Sequence, residues 1–273
     1  MNTPASFVAG SEPEVTGHAA ALIVSKAWQA VASRGRFTFV LSGGRSPRTL
    51  YRKLAAGVDA QLMKLHGIQV PAFQKPEYGE TMQDGLIRMP WQKTLIFWGD
   101  ERCVPPDHPD SNYRMAKETL LGAPGIAENR VFRMPCNGRT PEESARAYEK
   151  TIRTVSGCVD TGTSRNIPAF DLMVLGLGED GHTASLFPDD PGTLNESHSL
   201  VVAVKAPQAN PRVPRLTMTL PLINHAESIL FFTAGEKRAA LAETIRAGKA
   251  PSSLPAGMVK PLSGRLFWFI SIP

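Results

Sequence analysis

The 273-residue sequence has no apolar run approaching the ~18 residues that a membrane-spanning helix needs, so no membrane partner is expected. Residues 1–15 lack both the basic and the apolar segment of a secretory signal. Only three cysteines occur, Cys103, Cys136 and Cys158, and none stands in a Cys-x-x-Cys pair. That argues against a disulfide framework and a thiolate metal site, and for free thiols in a reducing, cytoplasmic setting. A Walker G-x-x-x-x-G-K loop is missing, so no nucleoside triphosphate is implied. Internal repeats and low-complexity tracts are also lacking. What the chain does have is 42% hydrophobic against 20% charged residues, enough to bury a full core. Single α/β domains of roughly 250 residues are ordinary, and one domain over residues 1–273 is expected.

Acidic residues are absent from three long stretches, 15–58, 197–226 and 244–273, which together carry fourteen of the 30 basic residues. The net charge of +5 is therefore placed rather than spread, and it points to an anionic partner. No basic stripe with interleaved aromatics accompanies it, so a nucleic acid is not the expected partner.

Short apolar runs at 37–41, 94–98, 170–175, 200–204, 229–233 and 266–270 read as strands, most of them apolar on both faces. Helical spacing appears among them. Val15, Ala19, Leu22, Ile23, Ala27, Ala30 and Val31 share one face, and Thr140-Pro141 with Glu143 forms a capping box opening a helix through Thr154. Residues 235–247 read as a further amphipathic helix. This alternation predicts a doubly wound, mostly parallel α/β sheet with helices on both faces, of the Rossmann-like kind. Ligands in such sheets bind beyond the carboxyl ends of the strands. Residues 58–93 and 161–169 show no regular pattern, and the first is expected to be a surface excursion.

Three strand ends carry polar residues. The first is Ser42-Gly43-Gly44-Arg45-Ser46-Pro47, where Ser46 suits an N-cap and Pro47 a first helical position. Backbone amides and a helix N-terminus meet there, and Arg45 adds a charge-assisted donor, which is the chemistry of anion binding. A capped turn with two conformational glycines is the plainer reading. The second, Gly99-Asp100-Glu101-Arg102, suits acid–base work, hydroxyl binding or a structural ion cluster. The third, residues 176–188, imitates a dinucleotide fingerprint with Gly176, Gly178 and Gly181, but Pro188 and Pro191 interrupt the helix that a fingerprint requires. These glycines are better read as bringing His182 close to a ligand, with Asp180 two residues back to orient it. The acidic residues nearby have no recognised metal-ligand spacing, so no metal is expected.

Taken together, the motifs 41–47, 97–105 with 110–113, 175–188 and 215–221, with 235–237, resemble the 6-phosphogluconolactonase family, within a superfamily that includes glucosamine-6-phosphate deaminase. The likeness runs from Val15 to Ile270. It implies hydrolysis of 6-phospho-D-glucono-1,5-lactone to 6-phospho-D-gluconate in the oxidative pentose phosphate pathway, without a cofactor, by a monomer or small homo-oligomer. By the resemblance, Ser42, Gly43, Gly44, Arg45 and Ser46 hold the sugar phosphate with Arg215 and Lys237. Asp100 lies in the substrate site, Arg102 faces the lactone, and His182 is the acid–base with Asp180 beside it. Two departures stand out: residues 58–93 are longer than expected, and Arg212 competes with Arg215 for the phosphate. An imidazole, with an ordinary pKa of ~6.5, suits the removal of a proton from water and its delivery to the ring oxygen. The alternatives are an isomerase or deaminase of a hexosamine 6-phosphate and a non-catalytic sugar-phosphate binder. The deaminase branch carries a Glu just before the proline that ends the histidine motif, whereas this chain has Phe187.

Overall fold

The computed structural model describes residues 6–69, 82–83, 85–136, 140–158 and 166–272. The amino-terminal half runs β1 (Ser6–Gly10), α1 (Glu12–Arg34), β2 (Phe37–Leu41), α2 (Pro47–Ala56), β3 (Val58–Asp59), α3 (Ala60–Leu65), β4 (Met82–Gln83), β5 (Leu86–Ile87), β6 (Thr94–Trp98), β7 (Asp100–Arg102), α4 (Asn112–Thr119), β8 (Val131–Phe132) and α5 (Pro141–Ser156). The remainder runs β9 (Leu172–Leu175), α6 (Pro191–Leu194), β10 (Val201–Val204), β11 (Arg215–Met218), α7 (Leu220–Asn224), β12 (Ser228–Ala234), α8 (Glu236–Arg246), α9 (Pro255–Met258) and β13 (Arg265–Ser271).

Seven of these strands form one sheet in the order β1-β13-β12-β9-β2-β6-β8, and every pairing in it is parallel. The central strands are sheathed on both faces: all five residues of β6 and all four of β9 are buried. That is why they read as unbroken apolar runs in the sequence. The ring of Phe231 stacks on Trp268 with centroids 4.1 Å apart, both fully buried in the core.

Helix ends follow the sequence closely. At the start of α5 the Thr140 hydroxyl accepts from the Glu143 N–H at 3.2 Å, and the Thr140 N–H donates to the Glu143 carboxylate at 2.9 Å. This is the expected capping box. Helix α1 begins three residues before Val15 and has its own box, in which Ser11 N–H donates to Glu14. Of the expected excursion at 58–93, the described part is not irregular. It forms a small antiparallel sheet β3-β5-β4, with α3 packed on α1. Trp28 of α1 ties it down by donating to the Arg88 carbonyl at 2.9 Å. Residues 70–81 and 84 lie outside the described part.

The order of strands defines where a ligand sits. From β2 the chain winds outward through β6 to β8, then returns to β9 on the other side of β2 and winds out through β12 to β13. The direction reverses between β2 and β9, and a crevice opens at their carboxyl ends. A third sheet, β10-β11-β7, is antiparallel and stands beside that crevice.

Candidate active site

Beyond β2, the hydroxyl of fully buried Tyr51 accepts from the Ser42 N–H and donates to the Ser42 carbonyl, both at 2.8 Å. Burial pushes the Tyr51 phenol well above its ordinary pKa, keeping it neutral and able to play both parts. The loop therefore leaves the sheet at a pinned point. Ser46 does not cap α2 as its sequence position suggests. Its backbone is already helical, at φ −58° and ψ −43°, and its side chain makes no capping bond. It faces the crevice with Ser42, Gly43, Gly44 and Arg45 instead.

Beyond β6, the two acidic residues have different tasks. Glu101 is buried and caps α4: its carboxylate accepts from the N–H groups of Arg102, Asn112 and Tyr113, each at 2.8 Å, and from the Ser111 hydroxyl at 3.1 Å. Burial raises its pKa, and the amide donors only partly oppose that rise. Asp100 lines the crevice. One of its carboxylate oxygens takes the Ser185 hydroxyl at 2.7 Å and the other the Asn112 amide at 3.2 Å.

Strand β7 pairs with β11 in a register that sets Arg102 directly opposite Arg215. Arg102 donates to the Asp110 carbonyl at 2.8 Å, and Arg215 to the carbonyls of Asn210 and Pro211 at 3.3 and 3.4 Å. The Nε of each is buried and makes no hydrogen bond among the described residues. Among the described residues no carboxylate bonds to either of these facing cations, a poor arrangement for stability and a good one for an anion. Arg215 is 4% exposed, and burial lowers its pKa while nearby Asp100 opposes the drop. Arg212, its rival in the sequence, is exposed and lines neither part of the crevice.

Beyond β9 the chain makes a tight loop in which Gly178 N–H donates to the His182 carbonyl at 2.9 Å. A Cβ on Gly178 would lie 2.2 Å from His182 Nδ1 and 2.3 Å from Asp180 Oδ1, so glycine is required for the two side chains to meet there. His182 Nδ1 and Asp180 Oδ1 are 2.6 Å apart. A carboxylate only accepts, so Nδ1 carries a proton, and in the neutral ring Nε2 is the bare nitrogen. Burial opposes the charge on Asp180, but the hydrogen bonds from the His182 ring and backbone N–H, with the ring's charge when it is protonated, outweigh it and hold the carboxyl below its ordinary range. The motif's hydroxyls fasten the loop: Thr183 donates to the Gly176 carbonyl at 2.8 Å, and Ser185 to Asp100.

These three strand ends enclose an inner cavity of about 210 Å³, lined by Ser42, Gly43, Asp100, Arg102, His182 and Arg215 among others. An outer cleft of about 1260 Å³ shares several of these residues and adds Asp180 and Phe187. Lys237 does not line either space. Its side chain is 83% exposed and its ammonium lies 3.6 Å from Glu179. The next residue, Arg238, lines both and is held by the Ala234 carbonyl at 3.0 Å. Position 238 lies in the first turn of α8, just past the end of β12, a placement the sequence contains but a Gly-x-Lys match passes over. Arg238→Ala is expected to raise KM for a phosphorylated substrate about tenfold, the scale of one charge-assisted hydrogen bond, and Lys237→Ala to leave it within about twofold. Steady-state kinetics of the two variants side by side checks this.

Cys103 and Cys136 interact electrostatically: interaction with the Cys136 thiol lowers the Cys103 pKa, and the Cys103 thiol, with burial, raises that of Cys136.

Fold and site together define a doubly wound α/β protein in which a glycine-rich loop leading into a helix and a carboxylate-oriented histidine share one switch-point crevice. A model of the glucosamine-6-phosphate isomerases/6-phosphogluconolactonase family matches residues 10–268, and the chain belongs to that family. A Synechocystis protein named 6-phosphogluconolactonase is 37% identical over 249 residues, 91% of this chain and 87% of that one. A human protein of the same name is 35% identical over 265 residues, 96% and 89% of the two chains. Among solved structures, the 6-phosphogluconolactonase of Trypanosoma cruzi superposes with a TM-score of 0.76 at 28% identity, covering 99% of this chain and 96% of that one. The Thermotoga maritima enzyme gives 0.74 at 26%, covering 98% and 99%.

Proposed function

We propose that this protein is a 6-phosphogluconolactonase, hydrolysing 6-phospho-D-glucono-1,5-lactone to 6-phospho-D-gluconate in the oxidative pentose phosphate pathway. The observation that carries the reading is the placement of the Asp180–His182 pair beside the opposed Arg102 and Arg215 in one cavity. His182 Nε2 takes a proton from water as the oxygen adds to the lactone carbonyl, giving a tetrahedral oxyanion. Collapse restores the carbonyl and breaks its bond to the ring oxygen, which receives the proton from the imidazolium. One water is consumed, and the carboxylic acid so formed ionises to the gluconate, releasing one proton to solvent. The loop 42–46, Arg215 and Arg238 grip the phosphate, Arg102 lies toward the lactone, and Asp180 keeps the imidazole in its working tautomer. The chain works in the cytoplasm in this reading, and among the described residues no helix is long and apolar enough to cross a membrane.

An isomerase or deaminase needs a second proton-transfer group beside the histidine. The ring of Phe187 lies there, 5.0 Å from that of His182, and supplies none. The test generates the lactone in place with glucose-6-phosphate dehydrogenase and follows its disappearance above the spontaneous rate. Acceleration is expected, with no turnover of glucosamine 6-phosphate; the reverse pattern would overturn the reading.

A further inference from the structure

Gly43 sits against a side chain as well as a cavity. A Cβ at this position would fall 1.8 Å from Oδ1, 2.2 Å from Cγ and 2.6 Å from Nδ2 of Asn112, so the Asn112 amide fills the space any other residue would need. Asn112 is 1% exposed and is the first residue of α4, its own N–H fixed on Glu101 at 2.8 Å. Its Nδ2 donates to the Asp100 carbonyl at 2.9 Å and to the Asp100 carboxylate at 3.2 Å. Asp100 in turn takes the Ser185 hydroxyl, from the loop that carries His182. Contacts thus run from the loop after β2, through Asn112 and Asp100, to the loop after β9.

We propose that Asn112 is a positioning residue that sets the spacing between the phosphate loop and the histidine loop, and that Gly43 is glycine in order to admit the Asn112 amide. The proposal rests on the phosphate reading of residues 42–46. The substrate fixes the distance between its phosphate and its reacting carbonyl, so the two loops must keep a matching separation. Displacements of ~1 Å at such points cost about 10²-fold in rate. The amide's planar form suits the task, with one flat group that packs on a glycine and donates to two oxygens of a neighbouring loop.

A double-mutant cycle tests this. Asn112→Ala is expected to raise KM about tenfold with kcat within about threefold, since the loop is loosened but His182 is untouched. Gly43→Ala alone is expected to lower kcat/KM by about 10²-fold and to lower the melting temperature. In the Asn112→Ala background, Gly43→Ala is expected to cost less than about threefold, because the clashing atoms are gone. Asn112→Asp, which keeps the bulk but replaces the donor, is expected to raise KM and to give no such rescue. Should Gly43→Ala fail to fold, recovery of folded protein in the double variant is the expected result. An equal Gly43→Ala penalty in both backgrounds, in rate and in melting temperature, overturns the contact and with it the proposal. Rescue of melting temperature with KM unmoved by any variant would instead overturn the phosphate reading beneath it.

Discussion

His182→Ala is expected to lower kcat by about 10³-fold, within the range that general acid–base catalysis supplies, while the affinity for 6-phospho-D-gluconate changes by less than about threefold. The asymmetry follows from the geometry. His182 touches Asp180 and Phe187 but none of the groups assigned to the phosphate, so its loss removes a proton acceptor and leaves the grip intact. Stopped-flow turnover and calorimetric binding of the product measure the two quantities separately. Asp180→Asn makes a companion variant. Its amide cannot enforce the Nδ1–H tautomer, and a fall of about 10²-fold in kcat is expected with binding again preserved. Wild-type turnover in the His182 variant would remove the imidazole from the mechanism.

Arg215→Ala is expected to act on the opposite quantity, raising KM by about 10²-fold with a smaller change in kcat. Arg215 is almost fully buried, faces Arg102 across two strands, lies over the Phe187 ring with Cζ 5.5 Å from the centroid, and among the described residues hydrogen-bonds to backbone carbonyls. An arriving phosphate dianion would neutralise a charge already desolvated, which makes the gain on binding large. Lysine at this position would keep the charge and lose the fork, so Arg215→Lys is expected to recover only part of the affinity. A KM that rises no more than for exposed Lys237 would show that the buried pair does not hold the phosphate.

Much of the fold was legible because the sheet is parallel. Strands β2 and β6 coincide with the apolar runs at 37–41 and 94–98, and four more elements fall within two residues of theirs. The pattern missed β1, a half-exposed edge, and β11, which is buried throughout but opens with an arginine that breaks the apolar run. The reading of 58–93 as irregular failed in part because two-residue strands leave no periodic trace.

The site was legible for a related reason. Residues in the segments that follow buried strands stand at the crevice, and Ser42, Asp100, Arg102 and His182 line it; Arg215, which opens β11 and lines it too, was legible only through the family resemblance. What sequence did not reveal depends on three-dimensional register. The opposition of Arg102 and Arg215 is a consequence of strand pairing, the Cys103–Cys136 interaction joins distant segments, and the packing of Asn112 on Gly43 joins two crossovers. Ser46 was misread because capping depends on a backbone angle, and Lys237 because one residue along α8 turns a side chain about 100° away from the crevice.

The reversal of winding between β2 and β9 has a consequence for how activity is acquired during folding. The loop 42–46, proposed to hold the phosphate, and His182 lie about one hundred and forty residues apart in the chain yet share one cavity. Each half of the sheet supplies one part of the chemistry. On the proposed assignment, the amino-terminal half of a nascent or refolding chain would present the phosphate grip of residues 42–46 without His182, the base meant to use it. Turnover therefore reports the joining of the two halves, a pairing of high sequence separation, and would appear after the local helices and the individual windings have formed.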